Sequence, residues 1–498
     1  RYTAAGEALG TRSGLPDGGL MVASVPIQDT GSQPAAMPPT KRGLELIMLA
    51  FAAVVVTAAL VLVELNQPQG LTRSVLYDGA AYLALFSAAH IAVRWLAPYA
   101  DPLILPCVAL LNGLGLVVIH RLDLADAASA TSIGAPIPAG NVPHQIAWTA
   151  LGLGLFVAVL VLVRDHRMLA RYGYTCGLAG LAALALPGLL PAAISEVNGS
   201  KIWLRLGGFT IQPGEFAKIL LMIFFAAFLV TKRDLFTTAG RKVLGMELPR
   251  GRDLAPLLMA WGLSLGVLVL EKDLGTSLLF FGIVLVLIYV ATERVAWLVI
   301  GLIFFMGGAF VSDLLFAHVQ RRVTAWINPF SDYDGAGYQM AQSLFGLGTG
   351  GVFGTGLGAG RPDLVPEAHT DFITAAIGEE LGFVGLAAVL FTYLLVVMRG
   401  MRAGLTVRDT FGKLLAAGLS FAIGLEVFIV VGGVTKLIPL TGLTAPFLAY
   451  GGSSLLANYI LVALLLRISH AARAPAATAP RRPVTPLAEA HTEMVQRP

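Results

Sequence analysis

Long blocks of apolar residues, separated by short polar segments, dominate the 498-residue chain. A helix needs roughly 20 apolar residues to cross the hydrocarbon layer, and helices satisfy every backbone N–H within one segment there. The pattern therefore predicts an all-α, polytopic helical membrane protein with about twelve transmembrane helices. The predicted spans are residues 44–64, 76–94, 102–120, 146–163, 175–195, 216–231, 254–270, 276–292, 296–316, 376–398, 411–435 and 446–467.

The basic residues are distributed unevenly among the polar segments. Lys and Arg precede the first span, follow the last, and concentrate in alternate connections such as 164–171, 232–252 and 399–413. By the positive-inside rule these segments are cytoplasmic, which places both termini in the cytoplasm. The connections at 121–145, 196–215, 318–370 and 436–445 are then expected to face outward, and any chemistry carried by them would lie outside the cell.

Composition changes at both ends of the chain. Residues 1–40 and 471–498 are rich in Ala, Pro and other small residues without hydrophobic periodicity, so we expect them to be disordered cytoplasmic segments. The outward segment 318–371 is far longer than an ordinary connection, and its aromatic residues argue against disorder. Cys107 and Cys176 fall in or beside apolar blocks, where packing is their expected role.

Ionisable residues are concentrated in P-E-A-H-T-D-F-I-T-A-A-I-G-E-E-L-G, residues 366–382. Glu367, His369 and Asp371 alternate with uncharged residues, so an extended chain would place their side chains on one side. Asp371 has two interpretations, the N-cap of the following helix or a general base with a raised pKa. Glu379 and Glu380 lie deeper in the apolar helix, where carboxylates are costly, and are expected to organise the helix bundle.

A second polar outward segment contains W-L-R-L-G-G-F-T-I-Q-P-G-E-F-A-K, residues 203–218. Glu215 and Lys218 are three residues apart and can form an ion pair on one face of a helix. Alternatively, Lys218 meets an anionic head group near the outer leaflet. Arg205, Arg321 and Arg322 could add to such a positive site, because guanidinium groups match phosphate oxygens.

Other polar motifs support structural interpretations. The glycine-rich residues 346–360 lack the preceding strand and the lysine of a nucleotide site, so close backbone approach is expected. The turn Glu271–Lys272–Asp273 is expected to stay solvated, and Glu426 to pair within the bundle. Small residues in G-G-S-S at 451–454 are expected to let helices approach closely.

Several motifs, in order, resemble the SEDS family (shape, elongation, division and sporulation) over residues 102–470. They are the 203–218 motif, D-L-G-T-S, G-Y-Q-M-A-Q-S, the 366–382 motif and P-L-T-G-L-T-A-P-F-L-A-Y-G-G-S-S. The resemblance implies a ten-helix core at 101–470 preceded by two additional helices at 41–100. It also implies a peptidoglycan glycosyltransferase that polymerises lipid II into β-1,4 glycan strands, and the motifs are closer to the elongation members than to the division members.

The resemblance assigns the catalytic carboxylate to Asp371. The substrate-binding residues suggested together with it are Trp203, Arg205, Gln212, Glu215, Lys218, Arg322, Gln342, Ser343, Glu367 and His369. The chain departs from the family pattern at Gly214, where Ser is usual, and at Glu271–Lys272, where Gln-Pro is common. No zinc-ligand spacing occurs among the eight histidines, and a divalent cation (Mg²⁺ or Mn²⁺) is an open expectation.

The partners implied are lipid II, an undecaprenyl diphosphate-linked disaccharide peptide, and a class B penicillin-binding protein. The expected location is the cytoplasmic membrane of a bacterium, with the active site facing outward and no nucleic acid involved. Three alternatives remain open: a lipid II transporter, a septal polymerase of cell division, and a scaffold that only recruits partners. Functional acids spread through the bilayer depth would favour the transporter.

Overall fold

The computed structural model describes residues 39–67, 70–197, 200–206, 209–232, 241–243, 246–248, 251–335 and 337–475. Two short antiparallel hairpins, β1 (Leu204–Leu206) with β2 (Phe209–Ile211) and β3 (Arg241–Val243) with β4 (Met246–Leu248), accompany the helices. The helices are α1 (Arg42–Leu65), α2 (Arg73–Leu96), α3 (Ile104–Ser132), α4 (Val142–Leu162), α5 (Arg167–Arg171), α6 (Gly173–Leu189), α7 (Ala192–Ser195), α8 (Pro213–Thr231), α9 (Gly251–Leu270), α10 (Leu274–Thr292), α11 (Ala296–Leu315), α12 (Ala317–Ile327), α13 (Tyr338–Gly350), α14 (Ile373–Thr406), α15 (Thr410–Val434) and α16 (Gly452–Arg473).

The prediction of an all-α membrane fold is confirmed. Among the described residues, ten helices are long and apolar enough to cross a membrane: α1 to α4, α8, α10, α11 and α14 to α16. Two shorter apolar helices, Gly173–Leu189 and Leu257–Val269, coincide with the other two predicted spans. The count of twelve spans and the cytoplasmic termini stay predictions.

The predicted disordered ends lie almost entirely outside the described residues. Of residues 1–40 only 39–40 are described, and of residues 471–498 only 471–475. Over that last stretch α16 continues to Arg473, so the helix extends slightly beyond the predicted boundary at residue 470.

Four of the membrane-length helices are far more buried than the others. In α3, α8, α15 and α16, 72–83% of the apolar window is buried within the protein, whereas in α11 the share is 6%. Small residues allow these helices to approach: a Cβ on Gly452 would lie 2.5 Å from the Trp148 ring. This contact agrees with the structural interpretation of the G-G-S-S motif.

A break at Gly382 interrupts α14. Gly382 has φ 67° and ψ −170°, which an L-residue rarely adopts. The carbonyls of Glu379 and Glu380, released by the break, accept hydrogen bonds from the N–H groups of Thr355 and Gly356, each at 3.0 Å. Two N–H groups beyond the break donate in return to carbonyls of the glycine-rich segment. The glycines therefore serve close backbone approach, as the sequence suggests.

The outward segment 318–371 is folded in its described part. It forms α12, a 3₁₀ turn (Pro329–Asp332), α13 and a second 3₁₀ turn (Pro362–Leu364). The connection between α1 and α2 contacts it, because Asn66 Nδ2 donates to the Leu357 carbonyl at 2.5 Å and Gln67 Nε2 to the Gly358 carbonyl at 2.9 Å. The N-terminal helix pair thus braces the glycine-rich segment from its outer side.

Gly382→Ala should destabilise the protein. The added Cβ would lie 2.3 Å from the Gly354 nitrogen in a left-handed conformation, a strain of about 1–3 kcal/mol before the clash is counted. Thermal unfolding in detergent should show a clearly lower Tm. The matched control is Gly348→Ala within α13, whose Cβ would meet nothing within 4 Å; equal Tm values for both variants would contradict the assignment.

Candidate active site

A non-helical segment, residues 435–451, joins α15 to α16 and forms the floor of the site. Most of residues 443–449 are buried, although a backbone inside a membrane bundle must find hydrogen-bond partners within the protein. Side chains from several elements supply them. The donors to its carbonyls are Trp326 (Lys436 O, 3.1 Å), Arg322 (Thr441 O, 2.9 Å), Tyr393 (Pro446 O), Asn112 (Phe447 O, 3.5 Å) and Gln145 (Ala449 O, 3.3 Å).

Asp371 faces this floor just before α14. A Cβ on Gly442 would lie 3.6 Å from Asp371 Oδ2. The interpretation of Asp371 as an N-cap is wrong, because the N-cap is Phe372 and no side chain caps the helix. Burial raises the pKa of Asp371 to about 6; Glu367 adds to this shift and Arg322 opposes it. The carboxylate is thus free of a capping role and has the pKa of a general base near neutral pH.

The predicted extended approach to Asp371 is wrong. Glu367 has φ 57°, and its carbonyl accepts from the N–H groups of Thr370 at 3.1 Å and Phe372 at 3.3 Å, so the chain folds into a compact turn. The His369 carbonyl accepts from the Tyr450 N–H at 2.7 Å, and the two rings lie 5.8 Å apart. The turn therefore attaches residues 367–372 to the 435–451 floor.

Arg322 lies within electrostatic range of two carboxylates of the site. Burial lowers the pKa of its guanidinium, while Asp273 and Asp371 raise it. Asp273 caps α10, because its Oδ1 accepts from the Thr276 N–H at 2.9 Å, and burial raises its pKa. The prediction that the turn Glu271–Lys272–Asp273 stays solvated is wrong for Glu271, which is only 7% exposed, whereas Lys272 is exposed and Asp273 is half-buried. Asp followed three residues later by Thr is the sequence signal for this cap.

Lys218 is enclosed by carboxylates. Its Nζ lies 2.9 Å from Glu215 and 2.8 Å from Glu426, and the side chain is 2% exposed. The expected pairing of Glu426 is confirmed, and the ion-pair interpretation of Glu215 and Lys218 describes this geometry. Contact of Glu215 or Lys218 with substrate stays a prediction.

Two further predicted residues are attached to the same floor and its flanking helices. The Gln212 N–H donates to Ser453 Oγ at 2.9 Å, at the start of α16. Ser343 is fully buried and donates to the Val434 carbonyl at 3.3 Å. In this conformation Ser343 fixes α13 against the end of α15, and its role in substrate binding stays a prediction.

The remaining predicted residues lie on elements other than the 435–451 floor and its flanking helices. Arg205 is exposed on β1, where its side chain is open to an anionic ligand. Trp203 is half-buried, and its backbone N–H donates to the Ser195 carbonyl at 3.3 Å. Gln342 Nε2 donates to the Tyr333 hydroxyl at 2.9 Å on the outward segment. Their contacts neither exclude nor require substrate binding.

The deeper carboxylates of α14 are partnered. Glu379 accepts from the Arg361 N–H at 2.7 Å, and Glu380 accepts from Arg121 Nε at 3.1 Å. Arg121 also donates to the Gly360 carbonyl at 2.7 Å. Both acids therefore hold the glycine-rich segment in place, as their expected organising role requires.

The carboxylates around Asp371 offer a limited donor set for a metal ion. Within the described ranges no three His, Cys, Asp or Glu side chains are grouped so that they could hold one. Glu367 and Asp371 lie within electrostatic range of each other and would supply two carboxylates. A divalent cation takes about six oxygen ligands, so substrate and water oxygens would have to complete its shell.

The described geometry agrees with known proteins of one family. The model of the cell cycle protein family FTSW_RODA_SPOVE matches residues 102–474. The chain belongs to this SEDS family. The peptidoglycan glycosyltransferase RodA of Mycobacterium tuberculosis H37Rv is 59% identical over 460 residues, which cover 92% of this chain and 97% of the relative. RodA of Mycobacterium leprae is 54% identical, and the alignment again covers 92% of this chain and 97% of the relative.

Solved SEDS structures share the fold. A chain from a peptidoglycan synthase complex, studied for its structural coordination of polymerization and crosslinking, matches with TM-score 0.56 and 25% identity over 74% of this chain and 97% of its own. The rod shape determining protein RodA of Thermus thermophilus, as a point mutant, matches with TM-score 0.50 and 24% identity over 76% and 99%. Because the family model begins at residue 102, α1 and α2 lie outside it, as the resemblance predicts.

Lys218→Met should strongly destabilise this SEDS protein. It leaves Glu215 and Glu426 buried without their cation, which typically costs about 3–5 kcal/mol. The double variant Lys218→Met/Glu426→Gln should recover part of this loss, because one of the two charges is removed as well. Thermal unfolding in detergent measures both, with exposed Lys413→Met as the control; a single variant as stable as the control would contradict the ion-pair assignment.

Proposed function

We propose that this SEDS protein is a peptidoglycan glycosyltransferase that polymerises lipid II into β-1,4 glycan strands during cell elongation. The observation that carries the proposal is Asp371, a carboxyl group with a pKa raised to about 6, placed beside Arg322 on a rigid floor. The elongation role is supported by RodA relatives at 59% identity, against 33% for an FtsW relative from Trichlorobacter lovleyi that aligns with 75% of this chain. The septal alternative is correspondingly weaker.

The chemistry follows from the configuration of substrate and product. The donor linkage is α and the product linkage is β-1,4, so one direct displacement inverts the anomeric carbon. Asp371 accepts the proton of the acceptor 4-hydroxyl as its oxygen attacks that carbon. The bond to the lipid diphosphate breaks, and the diphosphate leaves with the bonding electron pair. Arg322 and the exposed Arg205 stabilise the negative charge of the departing group.

A divalent cation enters the proposal only together with substrate. Glu367 and Asp371 would hold it, and the diphosphate oxygens would complete its ligands. Such an ion would add positive charge at the leaving group. The charge of Arg322 acts at the leaving group with or without such an ion.

The pairing of the deep acids favours the enzyme over the transporter. A translocation path would be expected to expose ionisable groups through the depth of the bundle. Glu379, Glu380 and Glu426 are instead buried and partnered by the Arg361 N–H, Arg121 and Lys218 respectively. The group that is poised for chemistry lies at the outer end of the helices.

The proposal includes the location and a partner. The chain would lie in the bacterial cytoplasmic membrane with Asp371 at its outer face, where the disaccharide of lipid II is presented. A class B penicillin-binding protein would crosslink the nascent strand and activate polymerisation. The likeness to a chain of a peptidoglycan synthase complex supports this pairing of polymerisation with crosslinking.

Asp371→Asn should abolish strand formation. The amide has nearly the same shape but cannot accept the proton, a loss of at least about 10²–10⁴-fold. Gel analysis of labelled lipid II products, with the purified protein and its partner, measures this loss. The matched control is Asp334→Asn, an exposed residue of the same outward segment. Retained polymerisation by folded Asp371→Asn protein would exclude the base role, and vesicle flipping without polymer growth would favour a transporter.

The pH dependence of kcat/KM should report the Asp371 environment. A base must be deprotonated, so the rate should fall as pH falls through about 6. Arg322→Gln removes a charge that lowers this pKa and should move the midpoint up. Glu367→Gln removes a charge that raises it and should move the midpoint down. Midpoints that move together, or not at all, would show that another group limits the rate.

A further inference from the structure

A half-open cavity lies beside the active site, at the outer ends of α6 and α9. Its volume is about 430 Å³, within the range of roughly 300–1,000 Å³ typical of small-molecule sites. Four charged residues line it together with small and apolar ones. They are Glu196, Lys201, Glu271 and Lys272.

The lysines of this cavity have no ion-pair partner among the residues that the structure describes. Among the described residues, no carboxylate oxygen lies within 4.0 Å of Lys201 or Lys272. Lys272 is exposed and has φ 63°, an uncommon left-handed conformation for a residue with a side chain. Glu196 and Glu271 line the same cavity but lie more than 4.0 Å from either ammonium group, so both lysines can still pair with the carboxylate groups of a ligand.

The floor of the cavity is fixed by Glu271. Its Oε1 accepts from the Gly188 N–H at 3.1 Å, which ties the turn after α9 to the end of α6. Burial raises the pKa of Glu271 to about 7, with Asp273 adding to the shift. At neutral pH this group can therefore either accept a hydrogen bond from an amine or donate one to a carbonyl.

The same turn forms a wall of the active site. Lys272 and Arg322 both lower the pKa of His318, after the larger effect of burial, so both cations lie within electrostatic range of this imidazole. Asp273, the next residue in the chain, interacts with Arg322, which in turn faces Asp371. A ligand part in the cavity is thus adjacent to the groups proposed to hold sugar and diphosphate.

We propose that this cavity binds the carboxylate-bearing peptide of the lipid-linked substrate, with Lys201 and Lys272 as the specificity-determining residues. The proposal rests on the proposed function, which supplies a substrate with a disaccharide, a diphosphate, a polyprenyl chain and a peptide. Asp371 and Arg322 account for the sugar and the diphosphate, and charged walls suit the peptide better than the polyprenyl chain. Since Glu271–Lys272 replaces the common Gln-Pro of the family, this preference would be a property of this chain.

The test compares two substrates rather than activity alone. Lipid II with free peptide carboxylates and lipid II with those carboxylates amidated are polymerised by wild type, Lys201→Ala/Lys272→Ala and Lys272→Arg. The double alanine variant should raise KM for the free-acid substrate about fivefold, the size expected of two half-exposed charge pairs, with kcat unchanged. Its KM for the amidated substrate should match wild type, and Lys272→Arg should retain the wild-type KM because it keeps the charge.

The controls separate this inference from the proposed function. Lys413→Ala, an exposed lysine in a segment predicted to be cytoplasmic, should leave both KM values unchanged. Equal KM shifts for the two substrates, or none, would overturn the peptide site while polymerisation by wild type still supports the enzyme. Absence of polymer from wild type with both substrates would overturn the proposed function itself. Binding of labelled lipid II can then be measured without turnover. Equal binding by wild type and the double alanine variant would show that the cavity does not bind the peptide, and weaker binding by the variant would show that it does.

Discussion

The site depends on the need to satisfy a non-helical backbone inside a membrane bundle. Residues 435–451 break the helical ladder between α15 and α16, so their carbonyls need donors from elsewhere in the protein. Arg322, Trp326, Tyr393, Asn112 and Gln145 provide them from four helices. Each of these hydrogen bonds satisfies a carbonyl of the segment and also attaches a helix to it. The floor beneath Asp371 is therefore fixed by the same contacts that stabilise the bundle.

Charged groups differ in how closely they are paired. Lys218 and its two carboxylates, and Arg121 with Glu380, are closed pairs in the bundle, where an isolated charge would be costly. Arg322 instead donates to the Leu440 and Thr441 carbonyls and acts on Asp273 and Asp371 only electrostatically. Asp371 is therefore less stabilised as an anion than the carboxylates of the closed pairs, and burial raises its pKa. The contrast between closed pairs and this unpaired carboxylate distinguishes the scaffold from the groups available for chemistry.

Much of the fold was predictable because hydrophobic blocks and local signals report it directly. The helical spans, the ion pair of Glu215 with Lys218 and the close approach of the glycines all follow from spacing and residue type. The turn at Glu367 was not predictable, since its left-handed conformation depends on the contact between His369 and Tyr450, 81 residues apart. Burial of Glu271 likewise depends on its hydrogen bond from the Gly188 N–H at the end of α6, which no local pattern encodes. The roles of residues in substrate binding are set by contacts with a bound ligand, which neither the sequence pattern nor the fold specifies.

The additional helices α1 and α2 also help to hold an irregular backbone segment in place. Gly358, at φ 82°, presents its carbonyl to Gln67, and a Cβ there would lie 2.8 Å from the Val63 carbonyl. On its other side, the glycine-rich segment forms hydrogen bonds with the backbone groups of α14 that the break at Gly382 releases. The segment is thus held between the helix pair and the helix that follows Asp371. Here the segment that packs against α14 is therefore also held by elements outside the matched family region.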